Sequence, residues 1–205
     1  MTGRHQATAA QRTELLHRML LLRCGGAGDA TFGDLGEAIT VGLRSALSPF
    51  DTLAEGPVLA VELAQEDVLR HLPAVTVCFV GAAAAPGFTI SLGHAIDDRL
   101  PVLFCCADRH EAHPAGTGGM PVETVDGTDV EAVGRAALTA VHPVRAGAGP
   151  RLLHFRIDAP RPGDPPDPIR ILADRMRADH QLDDNALLAI EKHVAAQLLT
   201  RAGLR

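Results

Sequence analysis

The chain has 205 residues, 46% of them hydrophobic, with 25 acidic against 19 basic side chains and a formal net charge of −6. This composition excludes wholesale disorder and allows one conventional core, while the negative balance and the lack of Tyr and Trp argue against an electrostatic or stacking nucleic-acid surface. Four cysteines, two of them adjacent as Cys105-Cys106, suit neither a disulfide framework nor a zinc ribbon. No window reaches the roughly 18 apolar residues of a membrane span, and Met1 to Gln6 shows no apolar leader, so a single cytoplasmic domain over residues 1–205 is expected.

Periodicity predicts a first helix over Ala9 to Arg23, with Leu15, Met19 and Leu22 on one face, Arg12, Glu14 and Arg18 on the polar one, and Gly25-Gly26 as the stop. A second helix is expected from Asp34 to Leu47 and a third from Pro57 at its N1 position to Arg70, so that three helices precede any strand. Ala74-Val-Thr-Val-Cys-Phe-Val80 is β-branched and apolar on both alternations, the pattern of a parallel strand covered on both faces. After the small-residue stretch Gly81 to Gly87 come a helix from Phe88 to Asp97 and a strand from Pro101 to Cys106, together a βαβ unit. Ala107 to Met120 has no period and reads as a loop.

Val122 to Val125 is expected as a short strand, and Thr128 with Glu131 as the capping box of a helix whose Val130, Val133, Ala137 and Val141 share a face. Gly147 and Gly149 end that unit. The strand Arg151 to Ile157 alternates more than the others, which predicts a place nearer the sheet edge. A proline-rich run from Pro160 to Pro168 then leads into helices over Ile169 to Asp179 and Asp184 to Thr200, the latter with Leu187, Ile190, Val194 and Leu198 on one face. The sum is an α/β domain of three layers around a mostly parallel sheet, with extra helices at both ends.

Four stretches are informative by their order: Glu37-Ala-Ile-Thr-Val-Gly42 behind Met19-Leu-Leu-Leu-Arg23, then Val125-Asp-Gly-Thr-Asp-Val-Glu-Ala-Val133, Arg145-Ala-Gly-Ala-Gly-Pro-Arg-Leu-Leu153 and Asp167-Pro-Ile-Arg170. Together they resemble the alpha subunit of the thiamine-diphosphate-dependent 2-oxo acid dehydrogenases. The resemblance implies a thiamine-diphosphate-binding-like fold, oxidoreductase chemistry on 2-oxo acids with thiamine diphosphate and magnesium, and a heteromer in which a beta-type subunit supplies the activating carboxylate.

The resemblance breaks at the family's cofactor motif. Gly81-Ala82-Ala83 stands where the family has Gly-Asp-Gly, and Asp108-Arg109 where it has a pair of Asn, with Arg109 at the ligating position. Magnesium needs oxygen ligands, which an alanine methyl does not offer, and a guanidinium repels the ion. Gly81, Ala82, Ala83, Asp108 and Arg109 are thus expected to be non-functional remnants of the cofactor site, and this chain alone is expected to hold no cofactor. The family's insertion with a Tyr-Arg pair and a Gly-His-Gly turn is missing between Asp51 and Pro57, and Asp158-Ala-Pro-Arg-Pro-Gly-Asp164 replaces its His-Gly-His-Ser loop, so no catalytic residue carries over.

Two other readings start from the same strand ends. Cys106, Asp108, His110 and His113 are zinc-type donors, against which stands the ordinary reading of a buried strand end followed by a solvated loop. The Gly81 to Gly87 turn before the Phe88 helix suits an anion, with Arg109 as counter-charge, or simply close packing of small residues. Functionally the expectation is a degenerate alpha-like subunit, a pseudoenzyme that completes a heteromer with a beta-like or full-length thiamine-enzyme subunit. The alternatives are an active thiamine-dependent oxidoreductase completed by such a partner, and a metal-dependent enzyme using the Cys106 to His113 loop. Leu15, Met19 and Leu22 are candidates for the partner surface or for the intrachain core.

Overall fold

The computed structural model describes residues 7–25, 36–80, 88–108, 117–157 and 167–203, with the backbone alone at residue 108. Among them are seven helices, α1 (Ala9–Gly25), α2 (Glu37–Ala46), α3 (Pro57–Leu69), α4 (Phe88–Asp97), α5 (Val130–Arg145), α6 (Pro168–Ala178) and α7 (Asp184–Arg201). The five strands are β1 (Thr52–Ala54), β2 (Thr76–Val80), β3 (Val102–Asp108), β4 (Val122–Asp126) and β5 (Arg151–Arg156). They form one sheet, parallel throughout, in the order β1-β2-β3-β5-β4.

The layers follow from that order. From β1 to β3 the chain advances in one direction through α3 and α4, and from β4 it steps back to β5 through α5; right-handed crossovers therefore place α5 on the opposite face. Strand alternation supplies both interfaces. Cys78, Val80, Phe104, Cys106 and Leu152 pack with Ala60, Ala64, Leu92 and Ala95 of α3 and α4. Val77, Leu103, Cys105, Leu153 and Phe155 pack with Ile39 and Leu43 of α2 and with Val133, Ala137 and Val141 of α5. Outside α2 lies a further helical layer, where Leu16 and Met19 of α1, Leu172 and Met176 of α6 and Val194 of α7 close over Ala38 and Val41.

Several expectations need correction. A three-residue strand, β1, precedes α3, so two helices rather than three come before the sheet. Strand β5 is interior, paired with β3 on one side and β4 on the other, and the edge belongs to β4, where four of five residues are exposed. Its polar-apolar alternation does not carry over to burial, since His154 is 1% exposed. Helix α5 starts on Asp129, whose carboxylate accepts from the N–H groups of Glu131 and Ala132 at 3.0 Å. Thr128 instead donates its hydroxyl to Asp126 Oδ1 at 2.6 Å, so there is no Thr128–Glu131 capping box. Arg12, read as polar-face, is 2% exposed. Met19 is wholly inside the intrachain core, with Leu15 and Leu22 packed around the same cluster. No described helix is long and apolar enough to cross a membrane.

Candidate functional site

A parallel sheet collects all its carboxyl ends along one rim, and ligands of open α/β sheets bind where the outgoing connections diverge to opposite faces. Here that point lies between β3 and β5. Met120, just before β4, is buried on the α3/α4 face, while α6, which follows β5 in the chain, packs on the α2 side. Register builds two rows across the rim. Val80, Cys106, His154 and Thr124 stand side by side in the first, followed by residue 108, Arg156 and Asp126. His154 lies two residues beyond Leu152 on β5 and so shares the α3/α4 face with Cys106. Both are buried, whereas Thr124, Arg156 and Asp126 are exposed.

The cofactor positions expected from the sequence follow directly on these strand ends. Val80 closes β2 and residue 108 closes β3, neighbours in the sheet, so Gly81-Ala82-Ala83 and Arg109 continue from adjacent exits. Gly81, Ala82, Ala83, Arg109, His110 and His113 themselves lie outside the described residues, as does the side chain of Asp108. Of Gly81, Ala82, Ala83, Asp108 and Arg109, only Asp108 carries a side-chain oxygen donor, too few for the oxygen shell of magnesium, and the Arg109 guanidinium repels the ion. No cluster of three or more metal-type side chains occurs among the described residues. All four cysteines are free thiols. Burial pushes the Cys78 thiol up to about 12, and burial, reinforced by the neighbouring Cys78 and Cys106, holds Cys105 well above the ordinary thiol range. Neither is a nucleophile at neutral pH.

The four motifs that suggested a family all perform structural tasks. At Gly42 a Cβ would meet Val133 Cγ1 at 2.6 Å, so glycine sets the close crossing of α2 on α5. In the Val125 to Val133 stretch, Asp126 Oδ1 accepts the Thr128 N–H at 2.8 Å, Gly127 donates its N–H to the Arg156 carbonyl at 2.8 Å, and Asp129 caps α5. Arg145 pairs with the fully buried Asp51 side chain, which also accepts the Val75 and Ser48 N–H groups at 2.9 and 2.7 Å. Gly147 and Gly149 take φ of +80° and +90°, the left-handed region, to turn the chain into β5. Asp167 caps α6 ahead of Pro168 and receives Arg23 at 2.9 Å.

No family model or curated protein matches the chain. Each motif therefore stands on its own geometry, as a helix start or a lead-in to a strand.

Sequence reasoning missed His154 and, more completely, the ion network under the outer helices. Arg12 Nε donates to Glu131 Oε1 at 2.9 Å, and its Nη1 reaches Asp179 and, at 3.0 Å, Gln181. Arg175 bonds Asp129 through both terminal nitrogens, at 3.1 and 2.8 Å, and also Glu131. Burial alone would raise the Asp129 carboxyl, but the Arg175 bonds and the backbone N–H groups of Ala132 and Glu131 outweigh it and hold it below the usual range. A local signal existed: Asp129 and Glu131 at the start of a helix already favour its dipole, and two acids so close to a buried face call for cations. The cations themselves, 119 and 44 residues away from Glu131, carry no short-range signature.

Proposed function

We propose that the chain is a non-catalytic, alpha-like subunit of a thiamine-diphosphate-dependent 2-oxo acid dehydrogenase or related enzyme, on a thiamine-diphosphate-binding-like fold, and that it acts as the structural partner of a beta-like or full-length subunit. The observation that carries the reading is at the sheet rim. The exits of β2 and β3, neighbours in register, lead into Gly81-Ala82-Ala83 and Asp108-Arg109, a set with a single carboxylate and a permanent cation. An all-parallel sheet with helices on both faces suits that fold, and the collinear motifs map onto its helix starts and strand lead-ins. What the chain retains in this reading is a platform, while cofactor and activating carboxylate belong to the partner.

Two measurements test it. Calorimetry of the isolated chain with thiamine diphosphate and magnesium should show no saturable binding in the micromolar range; binding that a chelator abolishes overturns the pseudoenzyme assignment. Co-expression with the beta-type subunit encoded nearest to it, followed by light scattering, should give a stable heteromer burying well over about 1,000 Å². A monodisperse monomer that ignores that subunit at concentrations well above micromolar removes the partner role.

A further inference from the structure

On the α2 side of the sheet the inner helices are topped by a second helical layer, and that layer brings cations: Arg12 of α1 and Arg175 of α6 meet Glu131 and Asp129 of α5. On the other side, the described hydrophobic residues packed with α3 and α4 belong to the sheet, to the two helices themselves or to the turns beside them. Side-chain sizes there run the wrong way round for a solvent-facing layer. Helix α3 buries Ala60, Val61 and Ala64, while Val58 and Leu59 of its first turn are 54% and 44% exposed and Leu69 at its end is 79% exposed. A helix that is apolar all round is one that is covered all round. At about 100° per residue, Val58, Leu59, Glu62, Glu66 and Leu69 share the outer side of α3. On α4, Ile90 is 68% exposed one turn before Gly93, where an added Cβ would meet nothing within 4 Å.

Charge narrows what can cover this face. Helices α3 and α4 carry four carboxylates, Glu62, Glu66, Asp67 and Asp97, and neither a lysine nor an arginine. Glu62, Glu66 and Asp97 are exposed. Arg70, which caps α3, holds Glu66 at 2.6 Å, but that pair is open to solvent on both sides, contributes little and yields to another cation. A second copy, itself of net charge −6, would bring its own Glu62 and Glu66 to the same stripe, so like charges oppose a symmetric pairing through α3. We infer that the outer face of α3 and α4 docks an amphipathic helix of another protein, one that lays leucine-type side chains on Val58, Leu59, Leu69 and Ile90 and sets lysine or arginine against Glu62, Glu66 and Asp97. Such a helix repeats in trans the layer that α1 and α6 form in cis over the opposite face. The inference stands apart from the subunit reading above, which rests on the exits of β2 and β3.

The test uses the full chain and two synthetic helical peptides of about five turns, one with leucine at i, i+3, i+4 and i+7 and lysine elsewhere, the other with glutamate in place of lysine. Fluorescence anisotropy at physiological salt should show saturable one-to-one binding of the lysine peptide in the micromolar range and none of the glutamate peptide. Leu59→Ser combined with Leu69→Ser should weaken binding about tenfold or more, and so should Glu62→Lys combined with Glu66→Lys. Leu138→Ser, at an exposed leucine of α5, should leave it unchanged. All four substituted side chains on α3 are exposed, so the thermal midpoints of those variants should stay near that of the parent chain. Amide shifts caused by the bound peptide should concentrate on residues 57–72 and 88–99. Absence of saturable binding, equal affinity for both peptides, an equal loss in Leu138→Ser, or shifts on α1, α6 and α7 instead overturns the assignment. A dimer of the chain alone that the double serine variant dissolves would give the face to a second copy and overturn it too.

Discussion

At the scale of single residues, Asp129 and Arg12 carry more than their positions in the sequence suggest. Asp129 caps α5 and at the same time receives Arg175, so Asp129→Ala should cost about 1–2 kcal/mol. Thr128→Ala removes only the hydroxyl contact to Asp126 and should cost about 0.5–1 kcal/mol. Urea midpoints of the two variants decide between Asp129 and Thr128 as the cap. Arg12→Met strips Glu131 of one of its two cationic partners beneath the outer helices. Breaking a buried ion pair costs about 3–5 kcal/mol, and the low end is expected because Arg175 remains. A midpoint unchanged from the parent would show that Arg175 alone satisfies Glu131.

At the scale of elements, the crossing of α2 on α5 depends on glycine. Gly42→Ala forces a methyl against the β-branched Val133, whose Cβ and Cγ1 lie at 2.7 and 2.6 Å from the added atom. Overpacking of this kind costs about 1–3 kcal/mol. Gly93, inside α4, would meet nothing within 4 Å. Gly93→Ala should therefore stabilise by about 0.5–1 kcal/mol through helix propensity; thermal midpoints moving in opposite directions check both. The elements that sequence reasoning placed best were those whose burial is repeated locally. β2 is apolar on both alternations, and α4 matches its expected limits from Phe88 to Asp97 because small and apolar residues fill its inner face. Where it failed, the deciding partner was distant or the element too short to have a period. β1 has three residues, and β5 is interior because β3 and β4 both need it, a fact of topology that no local window contains. At the candidate site, the residue types at 81–83, 108 and 109 were legible in the sequence, but the adjacency of the β2 and β3 exits is supplied by the sheet register.

For the whole molecule, carboxylates paired with arginine in two places, Asp129 with Arg175 and Asp167 with Arg23, shape the response to acid. Asp129 and Asp167 both titrate below their ordinary value: burial alone would raise Asp167 too, but Arg23 and the backbone N–H groups of α6 outweigh it. A carboxyl depressed on folding contributes stability that is fully present above its unfolded pKa of about 3.9 and is lost as pH falls through the folded value. Stability should therefore hold from neutrality down to roughly pH 4 and decline below it. Arg175→Met, which removes the cation facing Asp129, should flatten that decline as well as lowering the plateau, as read by urea titrations at pH 3 and pH 7. A decline of unchanged slope would place the acid-sensitive carboxylates elsewhere.

The order β3-β5-β4 also has a consequence in time. During synthesis β4 emerges before β5, its one partner among the described strands, and β3 waits with one side open until residues 151–156 leave the ribosome. The sheet cannot be closed from the amino end; its middle is filled last, by a segment about three quarters of the way along the chain. Long-range pairing of this sort is slow and leaves strand edges exposed to other chains. A fragment ending at Gly149 should accordingly show no cooperative unfolding transition, and adding residues 150–203 as a separate peptide should restore one, since the missing strand can arrive from outside as well as from within.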